Sequence, residues 1–387
     1  MERSLLRGNP LRRTLRARGQ PAVRGGGREL PPAGGGGLPV VLGFAEAPEA
    51  RGALAAGRFP SKMGGAPAWL DPAGLPGGAA ACACAACGRP GLRFLLQLYC
   101  PLDGPGRARC FHRALFLFVC PWCLARPARA GPDGEGAPPT PRAPAGAFAR
   151  GVRVFRSQLP RVNAHYPPDP LPPLAVEEVP PEPAPAAEGE WVELELVNEE
   201  EPGEEDTVRH GPEEARVQAM IEEHRRREAE AEAAGSSGEE EGMAADGGAG
   251  AAGGGDDDME EEDTEAEREQ DCWDSFRERV GRAPDQAVRY DYGGREGPLW
   301  PSLEGRPESV PACPRCGCPR DFEFQVMPQC LLHLGQDELA PDALDWDSIL
   351  VYTCRDSCGP EDGGGGYVEE FAWVHRNAAG VVRANKG

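Results

Sequence analysis

Eight of the fourteen cysteines fall into two sets that have the spacing of metal ligands. Each set opens with a Cys-x-x-Cys-Gly segment and ends, after an apolar run, with a second close cysteine pair. Thiolate sulfur is a preferred ligand of Zn²⁺, and structural zinc sites fill all four positions with protein side chains. The pattern therefore predicts two structural four-cysteine sites and two zinc ions. The predicted ligands are Cys84, Cys87, Cys120 and Cys123 in the first set and Cys313, Cys316, Cys354 and Cys358 in the second.

Two other interpretations of these cysteines exist, namely buried free thiols and redox dithiols. Cysteine is among the most often buried residues, but two similar sets are hard to explain by accident. A redox role is disfavoured because neither pair opens a predicted helix that would lower a thiol pKa. Cys82 and Cys318 lie close enough to the Cys-x-x-Cys segments to shift the ligand assignment. His112 is a further candidate ligand, although a hydrogen-bonded histidine at the start of a strand is favoured.

The two sets lie in similar surroundings, which indicates duplication of one supersecondary unit. A tryptophan precedes each set, at Trp69 and Trp300, and the segments Phe94–Gln97 and Phe322–Gln325 follow the first cysteine pairs. Strand-length apolar segments separated by Gly/Pro turns follow. We therefore expect a β-rich α+β fold made of two related zinc-ribbon-like β modules, joined by a long acidic disordered linker.

Composition sets the expected domain limits. Glycine (52) and proline (42) are so frequent that a large part of the chain reads as low complexity. The formal net charge is −22, and more than half of the 63 acidic residues lie between 177 and 271. The expected divisions are a basic disordered tail (1–37), an N-terminal β/zinc module (38–166), an acidic linker with one short helix (167–270), a C-terminal module (271–376) and a tail (377–387).

The linker is expected to be disordered because it has little apolar surface to bury. Within it, Trp191–Val197 alternates like a short strand and Glu213–Ala234 is a helix candidate. Its acid run could shield a basic partner, or it could be only a solvated spacer. An acidic chain is repelled by nucleic-acid backbones, so no direct nucleic-acid binding is expected.

Several classes of function are disfavoured. No apolar run of about 18 residues exists, so no membrane-spanning helix is expected. The arginine-rich start lacks a secretory core and is read as a flexible tail, with a transit peptide as the other interpretation. A closed four-cysteine site leaves no position for a reacting water, and no nucleophile–base set or phosphate loop is evident. The chain is therefore expected to be neither disulfide-bonded nor an enzyme.

Longer strings in both halves carry a family resemblance. They are residues 42–46, 59–70, 84–90, 94–99, 111–113, 154–156 and 158–161 in the first half, and 283–290, 297–300, 322–328 and 369–373 in the second. These strings resemble the programmed cell death protein 2 family, over about 38–166 and 272–375. Typical vertebrate members carry a MYND zinc finger between the halves. This chain has no cysteine between Cys123 and Cys272, so the finger and its corepressor docking are not expected.

The resemblance implies a zinc-containing chaperone or adaptor that binds the small-subunit ribosomal protein uS5 and supports 40S ribosome biogenesis. It implies cytoplasmic and nuclear localisation, and a monomer is expected. The alternative is a protein-interaction regulator of transcription, proliferation and programmed cell death. A zinc-ribbon nucleic-acid binder is disfavoured, because the strands lack clustered basic and aromatic residues.

Overall fold

The computed structural model describes residues 40–76, 83–125, 150–169, 171–174, 190–203, 264–293, 296–335, 343–359 and 366–376. Ten strands in this part of the chain form one closed antiparallel barrel. The strands are β1 (Val41–Glu46), β2 (Lys62–Met63), β3 (Arg93–Tyr99), β4 (His112–Val119), β5 (Val152–Leu159), β6 (Leu194–Glu200), β7 (Val288–Tyr290), β8 (Arg320–Val326), β9 (Ser348–Cys354) and β10 (Tyr367–His375).

Few helices accompany the barrel. Helix α1 (Pro121–Leu124) and helix α2 (Glu265–Gly281) are α-helical, and Ala56–Arg58, Ala108–Cys110 and Pro328–His333 are 3-10 helices. No described helix is long and apolar enough to cross a membrane. The helix candidate Glu213–Ala234 and both predicted tails lie outside the described residues.

The strand order shows that the expected fold of two separate zinc-ribbon-like modules is wrong. Around the barrel the order is β1-β6-β2-β3-β4-β5-β10-β9-β8-β7, and β7 closes the ring by pairing with β1. The halves therefore share two seams, one between β5 and β10 and one at β1. Each half alone would expose unpaired strand edges, and closure into one barrel removes them.

Strand β6 changes the interpretation of the expected linker. It comes from within 167–270, yet it pairs with β1 along six residues and with β2 at Lys62 and Met63. Its apolar residues Leu194 and Leu196, and Trp191 just before it, are buried in the main core. The Trp191–Val197 alternation thus marks a barrel strand, because Leu194 and Leu196 are buried while Glu195 between them is only partly buried.

The core lies inside the barrel and draws residues from both halves. Leu95, Leu117 and Val154 from the first half pack in one cluster with Phe324 and Val351 from the second. This shared interior covers one face of β4 and one face of β9. Loops cover the other faces, and both strands are therefore almost fully buried.

The predicted duplication is visible in two matching hairpins. The β3–β4 pairing shifts register between Phe94 and Leu96, and the β8–β9 pairing shifts between Phe322 and Phe324. Each hairpin therefore has a bulge at the same position of the repeated segment. The bulge residue is Leu95 in one copy and Glu323 in the other, so the copies share backbone geometry but differ in polarity.

A buried glutamine after each bulge holds the tryptophan segment in place. Gln97 Oε1 accepts from the backbone N–H of Ala68 at 2.8 Å, and Gln325 Oε1 accepts from that of Leu299 at 2.8 Å. The two amide groups also donate to the carbonyls of the same residues, at 3.5 and 3.2 Å. Each tryptophan segment is thereby tied to its hairpin like an extra short strand.

Candidate metal centres

The first cysteine set forms one compact cluster, here called the N-terminal cysteine site. Cys84 and Cys87 lie in the turn before β3, and Cys120 and Cys123 lie at the end of β4 and in α1. The Sγ atoms of Cys84 and Cys123 are 3.7 Å apart, as are those of Cys87 and Cys120. All four sulfurs lie within 4.8 Å of one another.

The second set forms the C-terminal cysteine site at the matching end of β8 and β9. Cys313 and Cys358 have their Sγ atoms 3.5 Å apart, and Cys316 and Cys354 have theirs 3.5 Å apart. These four sulfurs also lie within 4.8 Å of one another. The structure thus brings together all eight cysteines that the sequence nominated, in the two groups expected.

Each site opens with the same backbone turn. In the N-terminal site the N–H of Cys84 donates to the carbonyl of Arg89, and Gly88 N–H donates to Cys84, both at 2.8 Å. In the C-terminal site Cys313 N–H donates to the carbonyl of Cys318 at 2.8 Å, and Gly317 N–H donates to Cys313 at 2.9 Å. The glycines have φ of 71° and 73°, which L side chains rarely adopt.

The donor set of both sites fits a tetrahedral thiophilic metal. Four sulfurs placed about 2.3 Å from a central Zn²⁺ are about 3.8 Å apart, close to the separations observed here. Disulfides would need S–S distances of about 2.05 Å, and the described cysteines are free. The sites can therefore each hold one metal ion with no open coordination position, which suits a structural role.

The thiols of the N-terminal site shift one another's pKa values. A hydrogen bond from the Cys120 thiol lowers the pKa of Cys84 to about 5, although burial opposes this shift. The same interaction, with burial, raises the pKa of Cys120 above its ordinary value. Of these two thiols, Cys84 therefore ionises first.

The two sites differ in how far the protein covers them. Cys84, Cys120 and Cys123 are buried and Cys87 is half-buried. In the C-terminal site Cys316 is exposed. The N-terminal cysteines instead pack in one cluster with Ala86 and Leu92.

Arginines of β5 connect both sites to β10. Arg153 donates to the Ala83 carbonyl beside the N-terminal site at 3.3 Å, and pairs with Glu369 at 2.7 Å. Arg156 donates to the carbonyl of Cys358 at 2.6 Å and pairs with Glu370 at 2.8 Å. The second pair is fully buried. The C-terminal site is therefore oriented by a side chain from the other half of the chain.

Glu370 also contacts the C-terminal site directly. Its Oε2 accepts from the backbone N–H of Cys354 at 3.2 Å and from Arg320 at 2.9 Å. Such outer hydrogen bonds hold ligands in position and are part of a working metal site. Sequence reasoning missed Glu370 because Glu369 and Glu370 are adjacent and look alike in the sequence, and only the structure shows that Glu370 is the buried one.

A buried ion pair inside the barrel was also missed. Arg113 of β4 donates to both carboxylate oxygens of Glu323 at 2.5 and 2.7 Å, and neither side chain is exposed. Thr353 and Tyr290 also donate to this carboxylate. Burial alone would raise the pKa of Glu323, but the charge of Arg113 and these hydrogen bonds hold it below its ordinary value. The pair joins the two halves.

The remaining candidates do not join either site. His112 accepts a hydrogen bond from, or donates one to, the Tyr99 hydroxyl at 2.9 Å, as expected for the histidine at a strand start. Cys318 lies beside the C-terminal site and donates to Asp356 at 2.7 Å. Cys82 lies outside the described residues.

Comparison with known protein families decides the assignment. The description "Programmed cell death protein 2, N-terminal domain" matches residues 39–173, and "Programmed cell death protein 2, C-terminal putative domain" matches residues 270–376. The chain belongs to the programmed cell death protein 2 family. Programmed cell death protein 2 from Mus musculus is 36% identical over 87% of this chain and 96% of its own length. The Rattus norvegicus protein is 34% identical over 86% of this chain and 95% of its own length.

A shorter match reaches a fungal relative. "Probable 20S rRNA accumulation protein 4" from Schizosaccharomyces pombe is 37% identical over 95 residues, which cover 22% of this chain and 23% of that protein. No solved structure is significantly similar to the chain. The resemblance found in the sequence strings is therefore confirmed at the level of the family.

Proposed function

We propose that both cysteine sites bind Zn²⁺ and that each ion is structural. The donor set and the sulfur separations support this metal, and the coordination leaves no open position for a substrate. The zinc ions would fix the two hairpin ends, while the barrel carries the binding surfaces. Metal analysis of the purified full chain tests this proposal, with two zinc ions per chain expected. Fewer than two ions, or mainly another metal, would contradict it.

We further propose that the chain is a non-enzymatic chaperone or adaptor for the small-subunit ribosomal protein uS5, in support of 40S ribosome biogenesis. The observation that carries the proposal is family membership together with the fungal relative, whose name refers to accumulation of a ribosomal RNA. We expect the chain to act as a monomer, in cytoplasm and nucleus, without binding nucleic acid directly.

The charge of the chain supports a basic client. A newly made ribosomal protein is basic and has not yet met its RNA, so an acidic partner can screen it. The net charge of −22 provides this complementarity. The rigid barrel, closed at both seams, would supply a preformed binding surface at low entropic cost.

Affinity purification of the tagged full chain from cells tests the client. We expect uS5 as a dominant partner whose recovery falls as salt rises, because the attraction is between opposite charges. The matched control is a variant with the same barrel in which each Asp and Glu between residues 204 and 263 is replaced by Asn or Gln. Recovery of chromatin proteins in place of uS5 would overturn the proposal.

Depletion of the protein tests the pathway independently of the client. We expect 20S rRNA to accumulate and the ratio of 40S to 60S subunits to fall. A second candidate function is regulation of transcription and programmed cell death, and the name shared by the mammalian relatives favours the programmed cell death part of it. Altered transcripts or cell death with normal 40S levels would favour that candidate.

A further inference from the structure

Among the residues that the structure describes, the C-terminal cysteine site carries a fifth thiol that has no counterpart at the N-terminal site. The carbonyl of Cys318 accepts from Cys313 N–H as the carbonyl of Arg89 accepts from Cys84 N–H, so Cys318 and Arg89 occupy matching positions. The Arg89 guanidinium packs 4.0 Å from the ring centroid of Trp122. At the matching place the C-terminal site has a half-buried thiol instead of this stacked cation.

The fifth thiol lies against the most exposed ligand candidate. Cys318 and Cys316 are separated only by Gly317, and the Cys318 thiol donates to Asp356 at 2.7 Å. Cys316 is exposed while Cys313 and Cys354 are buried, so an oxidant in solution reaches the Cys316 sulfur first.

We propose that Cys316 and Cys318 form a peroxide-sensitive pair whose oxidation opens the C-terminal cysteine site and releases its metal, while the N-terminal site stays intact. This inference goes beyond the proposed chaperone function. It depends on a metal occupying the site, which the metal analysis above tests separately.

The chemistry balances with hydrogen peroxide as the oxidant. The Cys316 thiolate attacks one peroxide oxygen, so that an S–O bond forms, the O–O bond breaks and, after protonation, one water leaves. The Cys318 thiol then attacks the sulfenic sulfur, forming the S–S bond and releasing a second water. Two thiols lose two electrons and peroxide gains them. Cys316 is then a disulfide sulfur and no longer a thiolate ligand, and a thiol reductant restores it.

The test uses the purified full chain after its metal content is measured. Hydrogen peroxide is added, metal release is followed with a chromogenic chelator, and cysteine states are mapped by differential alkylation and mass spectrometry. We expect one metal equivalent to leave at least about ten-fold faster than the other, with a Cys316–Cys318 disulfide, because exposure governs thiol oxidation. First release from the N-terminal site, or a disulfide from Cys316 to Cys354, would overturn the proposal.

Two variants isolate the role of the fifth thiol. Cys318→Ser keeps all four ligand candidates, and we expect release of the first equivalent to slow by about three-fold or more with a trappable sulfenic acid on Cys316. Cys272→Ser removes another half-buried free thiol and should leave the rate unchanged. An unchanged rate in Cys318→Ser contradicts the proposal. If that variant does not retain two metals, the disulfide map of the unmodified chain decides.

Discussion

The two cysteine sites share one backbone frame but differ in their surroundings. Both begin with the same glycine turn, and both hairpins are tied to a tryptophan segment by a buried glutamine, Gln97 or Gln325. The bulge residue, however, is apolar Leu95 in one half and charged Glu323 in the other. Duplication therefore supplied the frame, whereas divergence at a few interior positions made the halves complementary.

The strongest predicted change tests whether the metal sites support the barrel as a whole. Cys354→Ser and Cys120→Ser should each lose one metal ion, because each removes a buried ligand. Metal binding contributes about 10 kcal/mol or more in small structural sites, which rivals the total stability of a domain. We expect either variant to lower the stability of both halves while the other metal ion stays bound, measured by metal content, circular dichroism and hydrogen exchange.

The control for this pair of variants is a buried cysteine outside the sites. Cys330→Ser should keep two metal ions and a folded barrel, since Cys330 lies in the core away from both sulfur clusters. If Cys354→Ser leaves normal exchange protection in β3 and β4, the halves fold independently and are not complementary parts of one unit.

The next change concerns the residue that differs at the bulge. Glu323→Leu restores the apolar residue of the other copy but leaves Arg113 buried without a counter-ion. Breaking a buried pair in this way costs about 3–5 kcal/mol. Urea denaturation should show this loss, and the double variant Arg113→Met with Glu323→Leu should recover most of it. An equal loss in the double variant would contradict the complementarity of the halves.

The same pair gives a pH dependence of known sign. The folded-state pKa of Glu323 lies below its ordinary value, so the unfolded chain binds the proton more readily. The stability that Glu323 contributes is therefore present above the ordinary pKa and is lost as pH falls through the folded-state value.

A smaller change separates the halves by acid sensitivity. His112 and Trp346 occupy matching positions in the two hairpins. Phe116 and Leu350 pair with the equivalent glutamines, and His112 and Trp346 each lie four residues before them. Burial lowers the pKa of His112 to about 4 from 6.5. As pH falls below the unfolded value, the unfolded chain takes up the proton and stability drops, by roughly 2–3 kcal/mol at most.

His112→Phe should remove this part of the acid sensitivity. Thermal melts between pH 7 and pH 4 provide the measurement, and the variant should lose less stability over that range than the unmodified chain. Identical pH profiles would show that the pKa of His112 does not differ between the folded and unfolded states. Trp346→Phe is the matched control, since it changes no titratable group.

The smallest expected effect comes from the two glutamines that hold the tryptophan segments, a feature that both halves share. Gln97→Ala and Gln325→Ala each leave backbone groups of a tryptophan segment without partners, and each should cost about 1–3 kcal/mol. Because the hydrogen bonds to the tryptophan segments match, we expect the two costs to agree within about 1 kcal/mol. Chemical denaturation of both variants checks this. A large loss of stability in one variant and none in the other would show that the duplicated segments do not make equivalent contacts in the structure.

The sequence alone predicted the cysteine groups, the repeat and most strands, because these depend on local spacing and periodicity. It could not show that the halves form one barrel, since the pairing of β5 with β10 and of β1 with β7 joins distant residues. Strand β6 falls within the expected linker because proline-rich and acidic low-complexity sequence lies on both sides of it. Glu323 lies in a Phe-Glu-Phe-Gln segment whose alternation gives no sign of an inward glutamate, and the bulge explains its buried position.

The pairing of β1 with β6 has a consequence for how the polypeptide can be divided. None of the ten described strands comes from residues 204–263, so covalent continuity there is not needed for ring closure. Two separately made fragments, ending near 203 and beginning near 264, should reassemble into the complete barrel through β5 with β10 and β1 with β7. A fragment that stops at 166 would instead lack β6 and could not complete its own part of the ring. The polypeptide can therefore be divided after residue 203 without removing any described strand of the barrel.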